Sequence, residues 1–196
     1  VDFTDKRVGV IGTGSSAIQS TPIIARQAKS LTVFQRTPNY SIPAYNEPLD
    51  PDYVSQLKSR YAEYRQENWA RGFGADFDDN DQSAFEVSDD ERRSAYEARW
   101  AKGGLAFLAA YNDLVFDMKA NDTAREFFKD KIAARVDDPG LAEKLVPTTP
   151  IGCKRLCVDT DYYEIYNQDH VCLVDLNEAP IAVSYTHLTL PTTRCG

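Results

Sequence analysis

No stretch of the sequence approaches the roughly 20 consecutive apolar residues that a bilayer-spanning helix needs. Nor does a charged segment followed by an apolar one open the chain, as a secretory signal would. Membrane and secretory readings lose their basis, and a cytoplasmic location is the expectation. An extended Lys/Arg stripe is also missing: formal net charge is −8, with acids gathered between Asp76 and Glu91. Such a surface repels phosphodiester backbones, so no nucleic-acid partner is expected. The four cysteines are Cys153, Cys157, Cys172 and Cys195. Cys153 and Cys157 lack the two-residue spacing of a CxxC and have no flanking His, so a zinc site is disfavoured against ordinary buried or surface thiols. No disulfide framework is visible, which agrees with a reducing compartment. Internal repeats are absent, and nothing points to an obligate protein partner.

What remains is ordinary globular material, 42% hydrophobic and 27% charged over 196 residues. Val8, Val10 and Ile11 form a short apolar run, the pattern of a strand buried on both faces. Gly12-Thr13-Gly14-Ser15-Ser16-Ala17 follows at once, then a helix-like stretch running towards Ala28, in which Pro22 removes one backbone donor and predicts a kink. Leu31 to Gln35 is a second strand of β-favouring residues. After Pro43 the pattern turns helical. Asp50-Pro51 is a helix start, and Val54, Leu57, Tyr61 and Tyr64 recur on one helical face. Ser88 with Glu91, and Thr123 with Glu126, have capping-box spacing. Leu108, Tyr111, Val115 and Met118 make an apolar stripe, continued by Phe128, Ile132 and Val136. Asp138-Pro139 opens a last short helix. Pro147 and Pro150 bracket a loop, Tyr162–Asn167 reads as a helical turn, and Val171–Leu176 as a returning strand.

The expected fold class is therefore α/β: a Rossmann-like domain with a parallel sheet, interrupted by an all-helical insertion. The boundaries read as 1–46 for the first part of the nucleotide domain, 47–146 for the insertion and 147–182 for the return. Residues 183–196 shift abruptly to Thr-rich sequence without acids and are read as a non-native tail; a native Thr-rich strand is the other reading, and His187 is given no role.

The chemistry concentrates in two places. In Gly12-x-Gly14-x-x-Ala17 the first glycine permits a tight turn and the second lets backbone approach a pyrophosphate. The third, small residue allows close helix–strand packing. The helix behind it presents free N–H groups and the positive end of its dipole to phosphates, with Ser15 and Ser16 as added hydroxyl donors. A structural glycine-rich turn is the bland alternative. NAD binders carry an acid at the end of the second strand to hold the ribose 2′-OH, whereas this strand ends at Arg36-Thr37. An arginine there can fork onto a 2′-phosphate, which favours NADPH over NADH unless Arg36 is simply solvated. The second place is Lys154-Arg155, two adjacent cations after the proline-bracketed loop. They suit a phosphate and a reaction centre, though surface Lys-Arg pairs are common.

Three blocks carry a resemblance: Lys6 through Gln19, Val33 through Pro43, and Gly152-Cys153-Lys154-Arg155 with Asp161-Tyr162-Tyr163-Glu164. Together with Glu86-Val87-Ser88 and Glu91-Arg92-Arg93 in the helical region, their ordered succession over residues 3–181 resembles the Baeyer–Villiger monooxygenases of the phenylacetone and cyclohexanone type. The resemblance implies an enzyme using NADPH, FAD and O2 to insert one oxygen atom into a ketone, giving an ester or lactone. It implies that Gly12, Thr13, Gly14, Ser15, Ser16, Ala17, Ile18 and Gln19 wrap the NADP pyrophosphate, and that Arg36, Thr37 and Lys154 engage the 2′-phosphorylated ribose. Arg155 matches the family's active-site arginine, lying over the flavin, where a permanently charged guanidinium stabilises developing anionic oxygen.

Two departures stand out. Ala17 occupies a position that is usually glycine, and Leu156-Cys157 follows Arg155 where the family usually has proline. The sequence holds a single glycine fingerprint, so the resemblance places the FAD loop ahead of Val1 and implies an internal fragment that does not catalyse alone. The alternatives are a related flavin monooxygenase that hydroxylates nitrogen or sulfur, and a non-catalytic NADP-binding module.

Overall fold

A computed structural model describes residues 1–71, 74–75 and 79–181. The tail read from residue 183 onward, and Asp76 and Asp78 of the acidic cluster, lie outside the described residues. Strands β1 (Arg7–Ile11), β2 (Ser30–Gln35) and β5 (Val171–Asp175) form one sheet in the order β1-β2-β5, with both pairings parallel. Helix α1 (Ser15–Ala25) crosses from β1 to β2. The three strands therefore end on the same edge, with Gly12, Arg36 and Leu176 the next residues along the chain. In open parallel sheets that edge is where ligands bind.

A second, two-stranded parallel sheet joins β3 (Ser41–Pro43) to β4 (Cys157–Asp159), in register Ser41 to Cys157. Neither strand was legible in the sequence, because three residues give no period. The pairing is nonetheless well anchored: the Ser41 hydroxyl donates to Asp159 Oδ2 at 2.5 Å with both side chains buried. This small sheet matters because it clamps the segment before Cys157 beside the segment after Gln35.

Between the sheets in sequence lie α2 (Pro51–Ser59), α3 (Tyr61–Ala70), α4 (Asp89–Lys102), a 3-10 turn (Gly104–Ala109), α5 (Met118–Ala133) and α6 (Pro139–Leu145). Their starts follow local chemistry. The carboxylates of Asp50, Asp117 and Asp138 each accept backbone N–H groups of the first turn, and Ser88 with Glu91 forms a reciprocal capping box. The Thr123–Glu126 box is not a helix start: α5 already begins at Met118, and the Thr123 hydroxyl donates to Ala120 O in mid-helix. Asp117 wins because its carboxylate accepts from both Lys119 and Ala120 N–H. The stripe from Leu108 to Met118 likewise divides between the 3-10 turn, irregular chain and the exposed start of α5. Tyr61 and Tyr64 fall on α3, separated from α2 by a break at Arg60.

Two apolar cores hold these elements among the described residues. The sheet core gathers Ile18, Ile24, Leu31 and Val33 with Ile132, Leu145, Tyr163 and Tyr166. The other is aromatic: Tyr40, Tyr96, Trp100, Phe107, Phe127 and Phe128 pack largely edge to face. Helix α5 serves both, giving Phe127 and Phe128 to one and Ile132 to the other. One expectation fails at β1. Its residues alternate between exposed and half-buried, and Ile11 is 58% exposed, because β1 pairs only with β2 among the described residues. It is an edge strand here, not one buried on both faces. Helix α1 runs through Pro22 without interruption and ends at Ala25.

Candidate functional site

The turn after β1 is built by glycine. Gly12 has φ +96°, a left-handed conformation that side chains other than glycine disfavour, and its N–H donates to Phe34 O at 2.8 Å. The chain then climbs through Thr13 into Gly14, which caps α1 in an extended conformation with no side-chain hydrogen bond to the first turn. No acid occupies that first turn. A methyl group placed on Gly14 would meet nothing within 4 Å, so open space stands in front of the helix N-terminus. Unpaired amide protons, a positive dipole end and empty volume are what a bound phosphate needs.

That space belongs to a cleft of about 330 Å³, lined by Gly12, Thr13, Gly14, Arg36, Thr37 and Lys154 together with Phe34 and Asn39. Thr13 is buried, and its hydroxyl donates to Thr37 O at 2.8 Å, fastening the glycine turn to the end of β2. Arg36 and Lys154 are exposed cations reaching this cleft from chain segments 118 positions apart. The second sheet explains the meeting: Cys157 N–H donates to Tyr40 O at 3.0 Å, which lays residues 154–157 beside residues 36–40. The loop before Lys154 is held as firmly. The buried Asn121 donates to Ile151 O and accepts from Ile151 N, both at 2.9 Å, and Tyr40 Oη donates to Thr149 O at 2.8 Å.

The remaining positions fall in different surroundings. Ser16 and Gln19 are exposed on α1, and Ala17 is half-buried. Ile18 is fully buried in the sheet core and its N–H donates to Gly14 O at 2.9 Å, so its contribution is to seat the helix. The Ser15 hydroxyl lies 3.3 Å from Cys157 Sγ. Arg155 is exposed next to Lys154 and lies outside the residues lining the cleft.

Some contributors carried no sequence signal. Asn177 Nδ2 donates to Arg36 O at 2.8 Å, tying the arginine's backbone to the turn after β5. Gln35, only 1% exposed, donates through Nε2 to Lys144 O at 2.7 Å. Asn39 and Cys157 join the glycine loop to the returning chain. Each acts across more than 100 residues of sequence, where spacing rules say nothing.

No protein-family model matches the chain. Individual proteins do. It is 41% identical over 185 residues to a cyclopentanone 1,2-monooxygenase of Comamonas sp., and 39% identical over 186 residues to a Baeyer–Villiger monooxygenase of Pseudooceanicola batsensis. These alignments take in 92% and 93% of this chain and 34% of each relative. Among solved structures, a steroid monooxygenase bound to NADP superposes with a TM-score of 0.88 at 55% identity, covering 92% of this chain and 35% of that one. The chain is thus homologous to Baeyer–Villiger monooxygenases and spans about a third of their length.

Proposed function

We propose that this chain is the NADP-binding portion of a flavoprotein monooxygenase of the Baeyer–Villiger type. The observation that carries the reading is the cleft at the C-terminal edge of the parallel sheet. There the uncapped N-terminus of α1, the open space over Gly14 and the cations Arg36 and Lys154 converge. The residues present fit an adenine dinucleotide. Backbone N–H groups from Thr13 to Ala17 would take the diphosphate, and Ser16, exposed on the first turn of α1, would add a hydroxyl. Arg36, Thr37 and Lys154 would take the 2′-phosphate, where Arg36 forks and Lys154 supplies a point charge. Among the described residues no acid lines this cleft, so none of them mimics the ribose-binding carboxylate of an NAD site.

In the whole enzyme a bound NADPH would supply the reducing power and FAD the oxygen chemistry. This chain's own residues bind and orient the dinucleotide. Arg155, exposed at the end of the loop that carries Lys154, would supply a fixed positive charge able to stabilise anionic oxygen in the insertion of oxygen into a ketone to give an ester or lactone. The partition into a nucleotide domain over 1–46 and 147–182 with a helical insertion over 47–146 belongs to the same proposal. It is supported by the return of β5 to β2 and by the run of helices from α2 to α6.

Calorimetric titration of the chain with NADP⁺ and NAD⁺ tests the binding half. NADP⁺ should bind at least about tenfold more tightly, the worth of one charge-assisted contact; equal affinities would remove Arg36 and Lys154 from the site. Ketone-dependent NADPH oxidation by the full-length protein, with ester identified as product, tests the enzymatic half. Oxidation of an amine or sulfide in place of the ketone would redirect it.

A further inference from the structure

Cys157 stands at the point where the three segments lining the cleft meet. Its side chain is buried, 2% exposed, and its sulfur touches all three. Ser15 Oγ, on the first residue of α1, lies 3.3 Å away; Asn39 Nδ2, after β2, donates to it at 3.2 Å; and the sulfur reaches Arg155 O at 3.6 Å. These contacts span 142, 118 and 2 positions of sequence. Resting on the dinucleotide reading above, the structure assigns Cys157 as a positioning residue that couples phosphate at the glycine loop to the Lys154-Arg155 backbone.

The coupling follows from counting protons. Asn39 gives one N–H to the sulfur, which leaves two mobile protons, one on the thiol and one on Ser15. With the thiol turned to Arg155 O, the Ser15 hydroxyl donates to sulfur, so the first turn of α1, Asn39 and the Arg155 carbonyl are tied through one atom before any ligand arrives. A phosphate at the N-terminus of α1 polarises the Ser15 hydroxyl and so alters the hydrogen bonding of the thiol. A hydroxyl in place of the thiol would keep the same donor and acceptor count, whereas a methyl group would abolish it.

Binding of NADP⁺ to Cys157→Ala and Cys157→Ser, each alone and combined with Ser15→Ala, reads this directly. Loss of one hydrogen-bonded link of this kind corresponds to about a three- to tenfold weaker affinity. Cys157→Ala should show that loss, Cys157→Ser should stay within about twofold of wild type, and Ser15→Ala should add little once Cys157 is alanine. Infrared difference spectra supply a second readout that packing alone would not move. The S–H stretching band assigned by its absence in Cys157→Ser should shift when NADP⁺ is added. Wild-type affinity in Cys157→Ala, or equal weakening in the serine variant, overturns the assignment, as does an unshifted S–H band should the alanine variant fail to fold. Failure of the wild type to bind NADP⁺ at all would instead overturn the dinucleotide reading and this inference with it.

Discussion

Space is left open around Gly14, while around Phe128 it is filled. A methyl group on Gly14 would touch nothing within 4 Å, whereas the fully buried Phe128 ring has the Phe107 centroid at 4.9 Å, Tyr40 at 5.2 Å and Trp100 at 5.4 Å. The cleft is bounded by exposed cations and backbone; the aromatic core is bounded by other rings. Ligand binding and stability therefore rest on separate residues, and substitutions should separate them as cleanly. The two regions still touch. Tyr40 belongs to the aromatic core, while its hydroxyl and carbonyl hold the loop and strand that deliver Lys154.

The largest effect is expected in the packed region. Phe128→Ala should cost about 3–5 kcal/mol of unfolding free energy in urea, the usual loss for a buried aromatic. Affinity of the molecules that remain folded should not change, and a parallel loss of NADP⁺ binding would show that the cleft leans on this core more than its geometry implies. Alkali should act next, through the sheet core. Burial pushes the Tyr162 phenol up to about 12 and holds Tyr163 and Tyr166 well above their ordinary value. Phenols in the unfolded chain ionise near 10, so the folded state keeps protons that the unfolded state has released. Stability should be fully present below about pH 10 and fall as pH rises towards 12. Unfolding monitored from pH 9 to 12 checks this, and a flat profile would place these rings in contact with water. The smallest stability change belongs to the cleft. Arg36→Ala, at an exposed side chain, should leave the melting temperature within about a degree while weakening NADP⁺ about 10- to 100-fold and NAD⁺ hardly at all, since a hydrogen bond to a charged group is worth about 1.5–3 kcal/mol.

What could be read from sequence had local causes. The glycine turn, Arg36 at the end of β2, and the caps at Asp50, Ser88 and Asp138 are set by residues within a few positions of one another, and spacing exposes them. The resemblance to the monooxygenases, carried by the same short blocks, agrees with the homologues found. Long-range effects stayed hidden. The β3–β4 sheet is three residues long in each strand, Asn121 looks like any helical asparagine until it is seen fastening Ile151, and Cys157 looks like a spare thiol. Two misreadings teach the same lesson from the other side. Thr123-x-x-Glu126 has the spacing of a helix start yet loses to Asp117, which reaches two amides, and the apolar run at β1 marks a strand without revealing that among the described residues it pairs on one side alone. Period and propensity report on near neighbours, and the partner across the fold decides the rest.

The central claim is that the volume in front of Gly14 is kept empty for a diphosphate. Gly14 has an ordinary negative φ of −79°, so alanine can adopt its backbone, and Gly14→Ala adds a methyl group that the protein itself does not obstruct. Titrating this variant with NADP⁺ by calorimetry, beside a thermal melt of the same sample, is the direct measurement. An unchanged melting temperature with binding lost or weakened at least about tenfold, the cost of displacing one charged contact, is the predicted result. Wild-type affinity in a variant that folds normally would contradict it, because the phosphates would then have to lie elsewhere.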